Sequence, residues 1–558
     1  MKKNIFPIIL LFVISGGVMA QKSNPIGEIK NEDFVFEKDR KIVMPTASRI
    51  FDKINSTKAS TEQNQIEYKF VERKLAIPQT KFNPTLNPLE MEKKIKEGLY
   101  ENYVKIGAGN YGRYFGEGFV SKSNEDGNVV AALVKHNSTQ LGPVDAQNSG
   151  TSQQNVKLLG KYLTPNFKLD ANLFFDRNQF YFYGYRNRPN ISIERDSIKQ
   201  VLNKYGAEIG IDNTNKEALI DYQLKTKVSF LKDKFFASEI DWKSNLYGSF
   251  RITETFVSLL NAEASISQRV DGQEGTKNNR NFFKVKPSFV FSNNFLNITF
   301  GINAVLETDN ANGLNRTKGF PVFNADVMIS PMLHIFGGVD GDIQRNTLTS
   351  FLQENQFLKS KIKLLNTEKT LEIYAGAKGM INSEFEYELK FSNAKYKNFY
   401  VFNNSKADTA KFEVLYDTLN PINQTTISAL IGYQKTERWR SSLSVEINSF
   451  AVSSSVFEKA WHRPAFVLKW GNTVIFKKKL LVSTDLFLLS GIYGKNFVTN
   501  TFNKLPAIVD LNTKITYQLT EKFNAFVGLN NIFGKNYQRF TNYNQQGLNF
   551  VVGVSFSF

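Results

Sequence analysis

The stretch from Val509 to Leu519, VDLNTKITYQL, decides the fold class. Residues that lipid tolerates recur at every second position, and the residues between them are polar or charged. The first set is Val509, Leu511, Thr513, Ile515, Tyr517 and Leu519, and the second is Asp510, Asn512, Lys514, Thr516 and Gln518. Because successive side chains of a β-strand point to opposite faces, the stretch predicts a strand with one lipid-compatible face and one wet face.

The same period-two pattern continues from Tyr100 to the last residue, Phe558. The segment from Phe167 to Phe175 places Phe, Leu and Ala at alternate positions against Lys, Asp and Asn. The closing stretch repeats the pattern with Leu548, Phe550, Val552, Val554, Phe556 and Phe558. A soluble β-sandwich also alternates, so alternation alone leaves two all-β architectures open.

The connections between these segments favour a membrane barrel over a sandwich. Tight turns and long polar loops alternate along the chain, as they do when one end of a barrel is periplasmic and the other extracellular. The predicted turns are Asn124–Gly127, Thr164–Asn166, Ser292–Asn294, Thr436–Arg438, Lys477–Lys479 and Thr520–Lys522. The predicted long loops lie near 141–154, 187–203, 269–280, 309–320, 344–369, 451–462, 492–506 and 532–546.

Aromatic residues gather near the predicted strand ends. The chain has 49 Phe and 22 Tyr, an enrichment that favours strands. Clusters occur at Phe180–Tyr185, Phe399–Phe402 and Tyr537–Tyr543. Aromatic side chains form belts at both membrane interfaces of a barrel, so these three clusters predict interface girdles.

The first twenty residues have the features of a secretory signal peptide. Lys2 and Lys3 are followed by an apolar run from Ile5 to Val13, and small residues precede a cleavage site between Ala20 and Gln21. No later run reaches the roughly 18 apolar residues of a membrane helix. Because backbone groups in lipid must be paired, a closed barrel is the remaining integral architecture.

These observations predict three regions. Residues 1–20 are the signal peptide, and 21–95 form a periplasmic or lumenal extension that is polar, proline-containing and without regular alternation. Residues 96–558 form an all-β, transmembrane, antiparallel β-barrel of about 22 strands, an even number as in bacterial barrels. Counting backward from Phe558 places both ends of the barrel at the periplasmic side.

The stretch FNAFVGLNNIFGKNY, from Phe523 to Tyr537, resembles the closing segment of TonB-dependent outer-membrane receptors. That family shows a run of the form v-x-N-l-F-d-x-x-Y, then a loop and a terminal strand that ends on an aromatic residue. Asn530, Asn531, Phe533 and Tyr537 occupy the matching positions. The terminal aromatics Phe556 and Phe558 resemble the signal that the barrel-assembly machinery reads.

The chain departs from that family at its amino end. The glycine-rich, arginine-containing signatures of the family's plug domain are absent from 21–95, and no energy-coupling box follows the signal peptide. The resemblance therefore implies a plugless relative of the kind found in Bacteroidetes, in the outer membrane of a Gram-negative cell. Energy-coupled uptake is not expected on this basis.

The residues offer little for catalysis. His136, His334 and His462 are scattered, without the i,i+2 or i,i+4 spacing of metal pairs. Ser453–Ser455 with His462 and Asp485 is a conceivable hydrolase set, but no nucleophile motif surrounds the serines. Asp340-Gly-Asp342 starts like a calcium loop and then fails at its later positions. We predict that the protein is not an enzyme and has no cofactor or metal site.

The loop 344–370 is the most distinctive connection. Thr347 to Phe357 predicts a short helix with Leu348, Phe351 and Leu352 on one face. Two interpretations stay open: the loop folds inward or docks a partner, or it is an ordinary extracellular loop with a local hydrophobic cluster.

The sequence predicts passage of a polar solute through the barrel, and the net charge of +18 admits an anionic one. No nucleic-acid motif accompanies the charge. The alternative is a scaffold barrel that anchors a periplasmic or surface protein. A lumen of this width needs an obstruction, supplied by 21–95, by inward loops or by another protein. The expected partners are outer-membrane lipid, lipopolysaccharide and the barrel-assembly machinery.

Overall fold

The computed structural model describes residues 102–185, 193–215, 217–272, 275–435, 438–454, 456–496 and 499–558. The predicted signal peptide with its Ala20–Gln21 cleavage site and the predicted 21–95 extension lie outside the described residues. So do residues 436 and 437 of one predicted turn.

Twenty-two long strands form one antiparallel sheet. They are β1 (Tyr103–Gly109), β2 (Arg113–Ser123), β3 (Val129–Thr139), β4 (Thr151–Leu163), β5 (Phe167–Tyr181), β6 (Lys199–Asn213), β7 (Ile220–Lys232), β8 (Ser238–Arg251), β9 (Phe256–Asp271), β10 (Thr276–Ser292), β11 (Leu296–Asp309), β12 (Leu314–Ser330), β13 (Leu333–Gln344), β14 (Thr367–Met380), β15 (Phe385–Lys397), β18 (Ile422–Lys435), β19 (Trp439–Ala451), β20 (Phe466–Phe476), β21 (Leu480–Ser490), β24 (Ile508–Gln518), β25 (Phe523–Asn530) and β28 (Asn549–Ser557).

Six short strands make three hairpins within the connections. They are β16 (Tyr400–Asn404) with β17 (Phe412–Tyr416), β22 (Tyr493–Asn496) with β23 (Thr501–Lys504), and β26 (Gln538–Phe540) with β27 (Tyr543–Asn544). The described residues include one α-helix, Leu348–Glu354, and one 3-10 turn, Ala146–Ser149. Within the described ranges, no helix is both long and apolar enough to cross a membrane.

The sheet closes on itself. Each long strand pairs with the next one along the chain, and β1 pairs with β28 from Tyr103↔Ser557 to Gly109↔Val551. The Phe558 backbone N–H donates to the Asn102 carbonyl oxygen at 3.0 Å, at the same rim of the barrel. The predicted barrel, its even strand number and the shared rim of its two ends are confirmed.

The two faces of β24 follow the predicted alternation. Ile515, Tyr517 and Leu519 are exposed on the outer face, whereas Asp510 is 5% exposed on the inner face. On the two neighbouring strands, Val482 and Val527 lie opposite Ile515 and continue the apolar surface. The wall therefore presents apolar side chains outward and polar ones to the lumen.

The two rims differ in their connections. Short turns join strands at the rim that holds Phe558, and the long connections lie at the opposite rim. Bacterial barrels have short periplasmic turns and longer extracellular loops, so the loop rim is the extracellular one. The loop rim also has tight hairpins: Tyr111 (φ 58°) and Gly112 (φ 59°) form the turn at Asn110–Gly112, with the positive angles of type I′.

Two predicted loops are wrong. Near 269–280 and 309–320 the strands continue to Asp271 and Asp309, and the next strands already begin at Thr276 and Leu314. The polar residues at these positions predict loops. In the structure they pair across neighbouring strands, as in the 2.9 Å hydrogen bond from Gln268 Nε2 to Asn279 Oδ1. Conversely, the connection 398–421, which carries β16 and β17, was not predicted as a loop.

The predicted girdle clusters are also wrong. Phe180, Phe182, Val401 and Tyr543 are each at most 1% exposed. They lie at or beyond the strand ends on the loop rim, where loops pack on one another and exclude both lipid and water. Aromatic contacts on the outer face instead lie near the turn rim: Phe256 with Phe289 and Phe300, Tyr433 with Phe385 and Trp439, and Phe556 with Phe523 and Phe558.

Candidate functional site: loops packed across the extracellular mouth

Six connections at the loop rim pack together, and we call them the loop cap. They are the described residues of 182–198, 345–366, 398–421, 452–465, 491–507 and 531–548; residues 186–192, 455 and 497–498 are not described. Their largest hydrophobic cluster includes Phe182, Tyr183, Leu348, Phe351, Phe357, Leu358, Ile362, Leu364, Tyr400, Phe402, Phe412, Val414, Phe540 and Tyr543. A core built from connections of this kind is unusual, because loops normally run over a surface.

The loop cap crosses the mouth of the barrel. The Lys411 ammonium lies 5.2 Å from the centre of the Phe182 ring. Phe182 follows the fifth strand and Lys411 follows the fifteenth, so the two loops start ten places apart in a closed ring of 22 strands. These positions are nearly opposite each other, and a barrel of this size has a wide lumen. Contact between them requires both loops to reach over the opening.

Stacked aromatic rings form the centre of the cap. The rings of Phe357 and Tyr543 are stacked with centroids 3.5 Å apart, and Tyr183 packs on Tyr543 at 4.8 Å. The Tyr543 hydroxyl donates to the carbonyl oxygen of Ala410. These residues come from four different loops. Aromatic pairs contribute about 0.5–1.5 kcal/mol each beyond the burial of their area, so the rings tie the four loops together.

The predicted helix in 344–370 begins at the expected place. Thr347 caps Leu348–Glu354: its hydroxyl accepts from the Ser350 N–H at 3.0 Å, and the Ser350 side chain bonds back to the Thr347 N–H. Leu348 and Phe351 are buried in the cap, and Leu352 packs against it. Of the two interpretations of this loop, the structure supports inward folding.

The loop 345–366 is clamped to the barrel wall several strands away. Glu239 of β8 accepts from the Leu348 N–H at 2.7 Å and the Thr349 N–H at 3.0 Å, at the helix amino end. Arg280 of β10 donates to the Asn346 carbonyl oxygen and to the Asn366 Oδ1, both at 2.6 Å. A carboxylate at a helix amino end is favoured by the helix dipole. The loop is thus fixed at its start, its helix and its end.

A largely buried ion pair links two loops of the cap. Arg463 Nη1 lies 2.8 Å from Glu354 Oε1, and the Tyr400 hydroxyl donates to Glu354 Oε2 at 2.6 Å. The Arg463 guanidinium also lies over the Tyr400 ring at 4.4 Å. Burial opposes the positive charge, but the carboxylate of Glu354 outweighs it, and the pKa of Arg463 is raised above its usual value.

His462 is held between two other loops. Its Nδ1 donates to the Phe402 carbonyl oxygen at 2.7 Å, and its Nε2 accepts from the Thr541 hydroxyl at 2.9 Å. Burial lowers the pKa of His462 to about 3, so the ring is neutral at ordinary pH. Arg539 Nη1 donates to the His462 carbonyl oxygen at 2.7 Å. The ring therefore serves as a structural connector.

The other chemically suggestive residues have structural contacts. Both nitrogens of His462 are engaged, so the described residues Ser453 and Ser454 do not form the hydrolase set with it; Ser455 is not described, and Asp485 lies in β21. Asp340 pairs with Lys369 at 2.9 Å and Asp342 with Lys284 at 2.7 Å, in the barrel wall.

The family-like residues of the closing segment build a turn. Asn531 has a positive φ of 47° and donates to the carbonyl oxygens of Lys535 and Gln546, each at 2.8 Å. The Tyr537 hydroxyl donates to Asp510 Oδ2 at 2.6 Å, and Asn530 donates to Asn549 Oδ1 at 2.9 Å, whereas Phe533 is half exposed. Phe556 and Phe558 stack at 5.7 Å near the turn rim. Their role as an assembly signal stays a prediction.

The residues that fix the cap were not found from the sequence. Glu239 and Arg280 lie on strands, and alternation marks them only as inward-facing. Tyr543 and Phe357 belong to loops, and their contact depends on how loops from distant strands meet. The sequence feature that indicates the cap is the clustering of aromatic residues at 180–185, 399–402 and 537–543. The girdle interpretation places these residues against lipid, whereas the structure places them among the loops.

The barrel is similar to solved outer-membrane receptors. The pyoverdine outer membrane receptor FpvA from Pseudomonas aeruginosa, bound to pyoverdine, matches with a TM-score of 0.59 and 14% identity over 83% of this chain and 79% of that one. The siderophore receptor PiuA from Acinetobacter baumannii matches with a TM-score of 0.60 and 9% identity over 82% of each chain. The FrpB iron transporter from Neisseria meningitidis (F3-3 variant) matches with a TM-score of 0.62 and 10% identity over 82% of this chain and 81% of that one.

These proteins are TonB-dependent outer-membrane receptors. At such identities the likeness establishes a shared fold, and it confirms the resemblance noted in the closing segment at that level. No protein-family model and no curated protein sequence matches the chain.

Proposed function

We propose that the protein is an outer-membrane transporter that passes a polar solute through its barrel and closes the extracellular mouth with the loop cap. The observation that carries the proposal is a closed 22-strand wall whose inner face is charged. Glu117 lies between Lys105 at 3.3 Å and Lys135 at 3.1 Å, and Lys284 pairs with Asp342 at 2.7 Å. Such a wall suits water and polar solutes. The solved proteins named above, described as a pyoverdine receptor, a siderophore receptor and an iron transporter, support a transport role.

The cap makes the proposed transporter a gated one. Loops from opposite sides of the ring meet over the mouth, so passage requires the cap to rearrange. We further propose that the chain is a plugless, Bacteroidetes-type relative of TonB-dependent receptors and is not coupled to an energy source. The support is the absence from 21–95 of the plug signatures and of the coupling box after the signal peptide.

The test is conductance in planar bilayers. The double variant Phe357→Ala/Tyr543→Ala removes the stacked rings at the centre of the cap, with a cost of roughly 3–5 kcal/mol for each buried aromatic ring. We expect this variant to conduct more than the unchanged protein. The matched control is Phe502→Ala/Phe533→Ala, which removes two cap phenylalanines that are 53% and 50% exposed. Equal conductance of the two double variants would contradict a cap that seals the lumen.

The second candidate is a scaffold barrel, and the dense packing of the cap favours it: a mouth closed by a hydrophobic core suits an anchor as well as a gate. Deleting 28–90 behind the signal peptide separates the two functions. Raised conductance and antibiotic sensitivity would show that the segment contributes to the seal of a transporter. Loss of a co-purifying protein from native membranes, with conductance unchanged in every variant, would establish the scaffold.

A further inference from the structure

An open cleft of about 550 Å³ lies where the loop cap meets the barrel wall. Arg269 of β9 and Arg280 of β10 line one side, and the cap residues Lys359, Lys361 and Lys363 line the other. Clefts that bind small ligands have volumes of about 300–1,000 Å³. The cleft therefore has the size of a small-molecule site, and its two sides belong to different parts of the molecule.

The cleft belongs to the inner side of the rim. Along β9 and β10 the outward positions include Ile266 and Phe283, which are 45% and 37% exposed. Arg269 is an odd number of positions from Ile266 along β9, and Arg280 is an odd number of positions from Phe283 along β10. Both arginines are buried, at 4% and 7% exposure. Their side chains consequently point away from the lipid face. A ligand of this cleft comes from solution and not from the surrounding bilayer.

The wall side of the cleft is held rigid by its own contacts. Arg269 pairs with Asp271, and Arg280 Nε donates to Asp309 Oδ2 at 2.9 Å. Arg269 also donates to the carbonyl oxygen of Ile362 in the cap. The arginines are thus fixed in place before any ligand arrives, and preorganised charge binds with a smaller loss of conformational freedom.

The cap side supplies an excess of positive charge. Lys359 pairs with Glu413 at 2.7 Å. The lining of the cleft as a whole has five cationic residues and three carboxylates. Lys361 and Lys363 are exposed, whereas the alternate residues Ile362 and Leu364 are 4% and 5% exposed and pack into the cap core. The alternation aims both lysines away from the core, and the cleft as a whole is positive with apolar patches.

We propose that this cleft binds a small organic anion carrying carboxylate or phosphate groups, as the first binding site of the transported solute. The proposal rests on the proposed transport function and names its solute class. The positive excess attracts the anionic groups, and the apolar lining accepts the rest of the molecule. Because one side of the cleft is barrel wall and the other is cap, a ligand bound there contacts both parts of the mouth.

Calorimetry with the purified full chain in detergent at low salt tests the proposal, with citrate and pyrophosphate as probes. We expect binding of at least one probe, and which of them binds more tightly assigns carboxylate or phosphate. The double variant Lys361→Ala/Lys363→Ala should weaken that binding about tenfold, as expected for two partly exposed charge contacts. Raising the salt concentration to about 1 M should weaken the binding as well, because the Debye length is then only about 3 Å.

The matched control is Lys122→Ala/Lys435→Ala, which removes two exposed lysines at the turn rim. It should bind the probe as the unchanged protein does. The proposal is overturned if the full chain binds neither probe, or if the Lys361/Lys363 variant binds as tightly as the control. Calorimetry does not depend on passage, and conductance needs no ligand, so failure of this site and failure of the transport function give different results.

Discussion

Arg463 and Glu354 join two loops of the cap through an ion pair of 2.8 Å, although the loops follow the thirteenth and the seventeenth strand of the ring. Each of the two residues thus finds its ion-pair partner in a different loop. Tyr400, from a third loop, donates to the same carboxylate at 2.6 Å. The carboxylate of Glu354 thus links three connections of the cap.

The first prediction concerns this carboxylate. Glu354→Gln keeps the shape of the side chain and leaves the Arg463 charge buried without a carboxylate, which costs about 3 kcal/mol in comparable pairs. We expect faster proteolysis within the cap and raised conductance in planar bilayers. Glu458→Gln is the control, because Glu458 pairs with Lys495 in the same region but its side chain is 55% exposed. Equal behaviour of the two variants would contradict the central role of Glu354.

The second prediction concerns pH. The pKa of His462 is about 3 in the closed cap, against about 6.5 for an exposed histidine. Between pH 3 and pH 6.5, His462 is therefore protonated to a greater extent when the cap is open than when it is closed. The contribution of His462 to cap stability is complete above pH 6.5 and decreases as the pH falls, by about 2 kcal/mol at pH 5.

Hydrogen exchange of the cap backbone at pH 7 and pH 5, corrected for intrinsic rates, measures this effect. His462→Gln cannot gain the proton, so its cap should lose less stability over the same interval. A variant with the same pH dependence as the unchanged protein would assign the effect to other groups.

The third prediction concerns the lipid face. Ile515 lies on the outer face of β24, and Thr516 lies on the inner face. Ile515→Arg should reduce the free energy of unfolding in lipid vesicles by roughly 2–4 kcal/mol if the position is near the middle of the bilayer. Thr516→Arg should reduce it much less, because that side chain enters a wet lumen. Urea titration of both variants compares them, and equal losses would refute the assignment of faces.

The fourth prediction concerns closure. β28 pairs with β25 on one side and with β1 on the other. Deleting 547–558 exposes two strand edges whose N–H and C=O groups lipid cannot satisfy. We expect the truncated protein to be degraded before it reaches the outer membrane, as measured by fractionation and immunoblotting. Phe558→Ala, which leaves the ladder intact, tests the predicted assembly signal separately through the rate of barrel formation.

The barrel was predictable because its rule is local. Alternation, as in Val509–Leu519, identifies the strands, and short turns such as Thr520–Lys522 mark where one strand ends and the next begins. The number of strands can therefore be counted from residues that are close together in the sequence. The hairpin at Asn110–Gly112 and the helix after Thr347 were predictable for the same reason. Each depends on residues within a few positions of one another.

The cap was not predictable from such rules. The contact between Phe182 and Lys411 joins residues on opposite sides of the ring, and nothing near either residue specifies the other. The residues of Phe180–Tyr185 have the composition of a lipid girdle, since apolar aromatic surface suits lipid and a loop core equally well. Only the path of the loops decides between the two environments, and that path is a property of the whole ring.

The pairing of β1 with β28 has a consequence for the order of events during synthesis. The Phe550 N–H bonds to the Asn110 side chain, a residue 440 positions earlier. The first strand leaves the ribosome long before its partner exists, so the sheet cannot close until the last strand has been made. Contacts between such distant residues form slowly and leave the waiting chain open to aggregation. The closed wall is therefore the last feature of the fold to form, because the hydrogen bonds between β1 and β28 wait for the end of the chain.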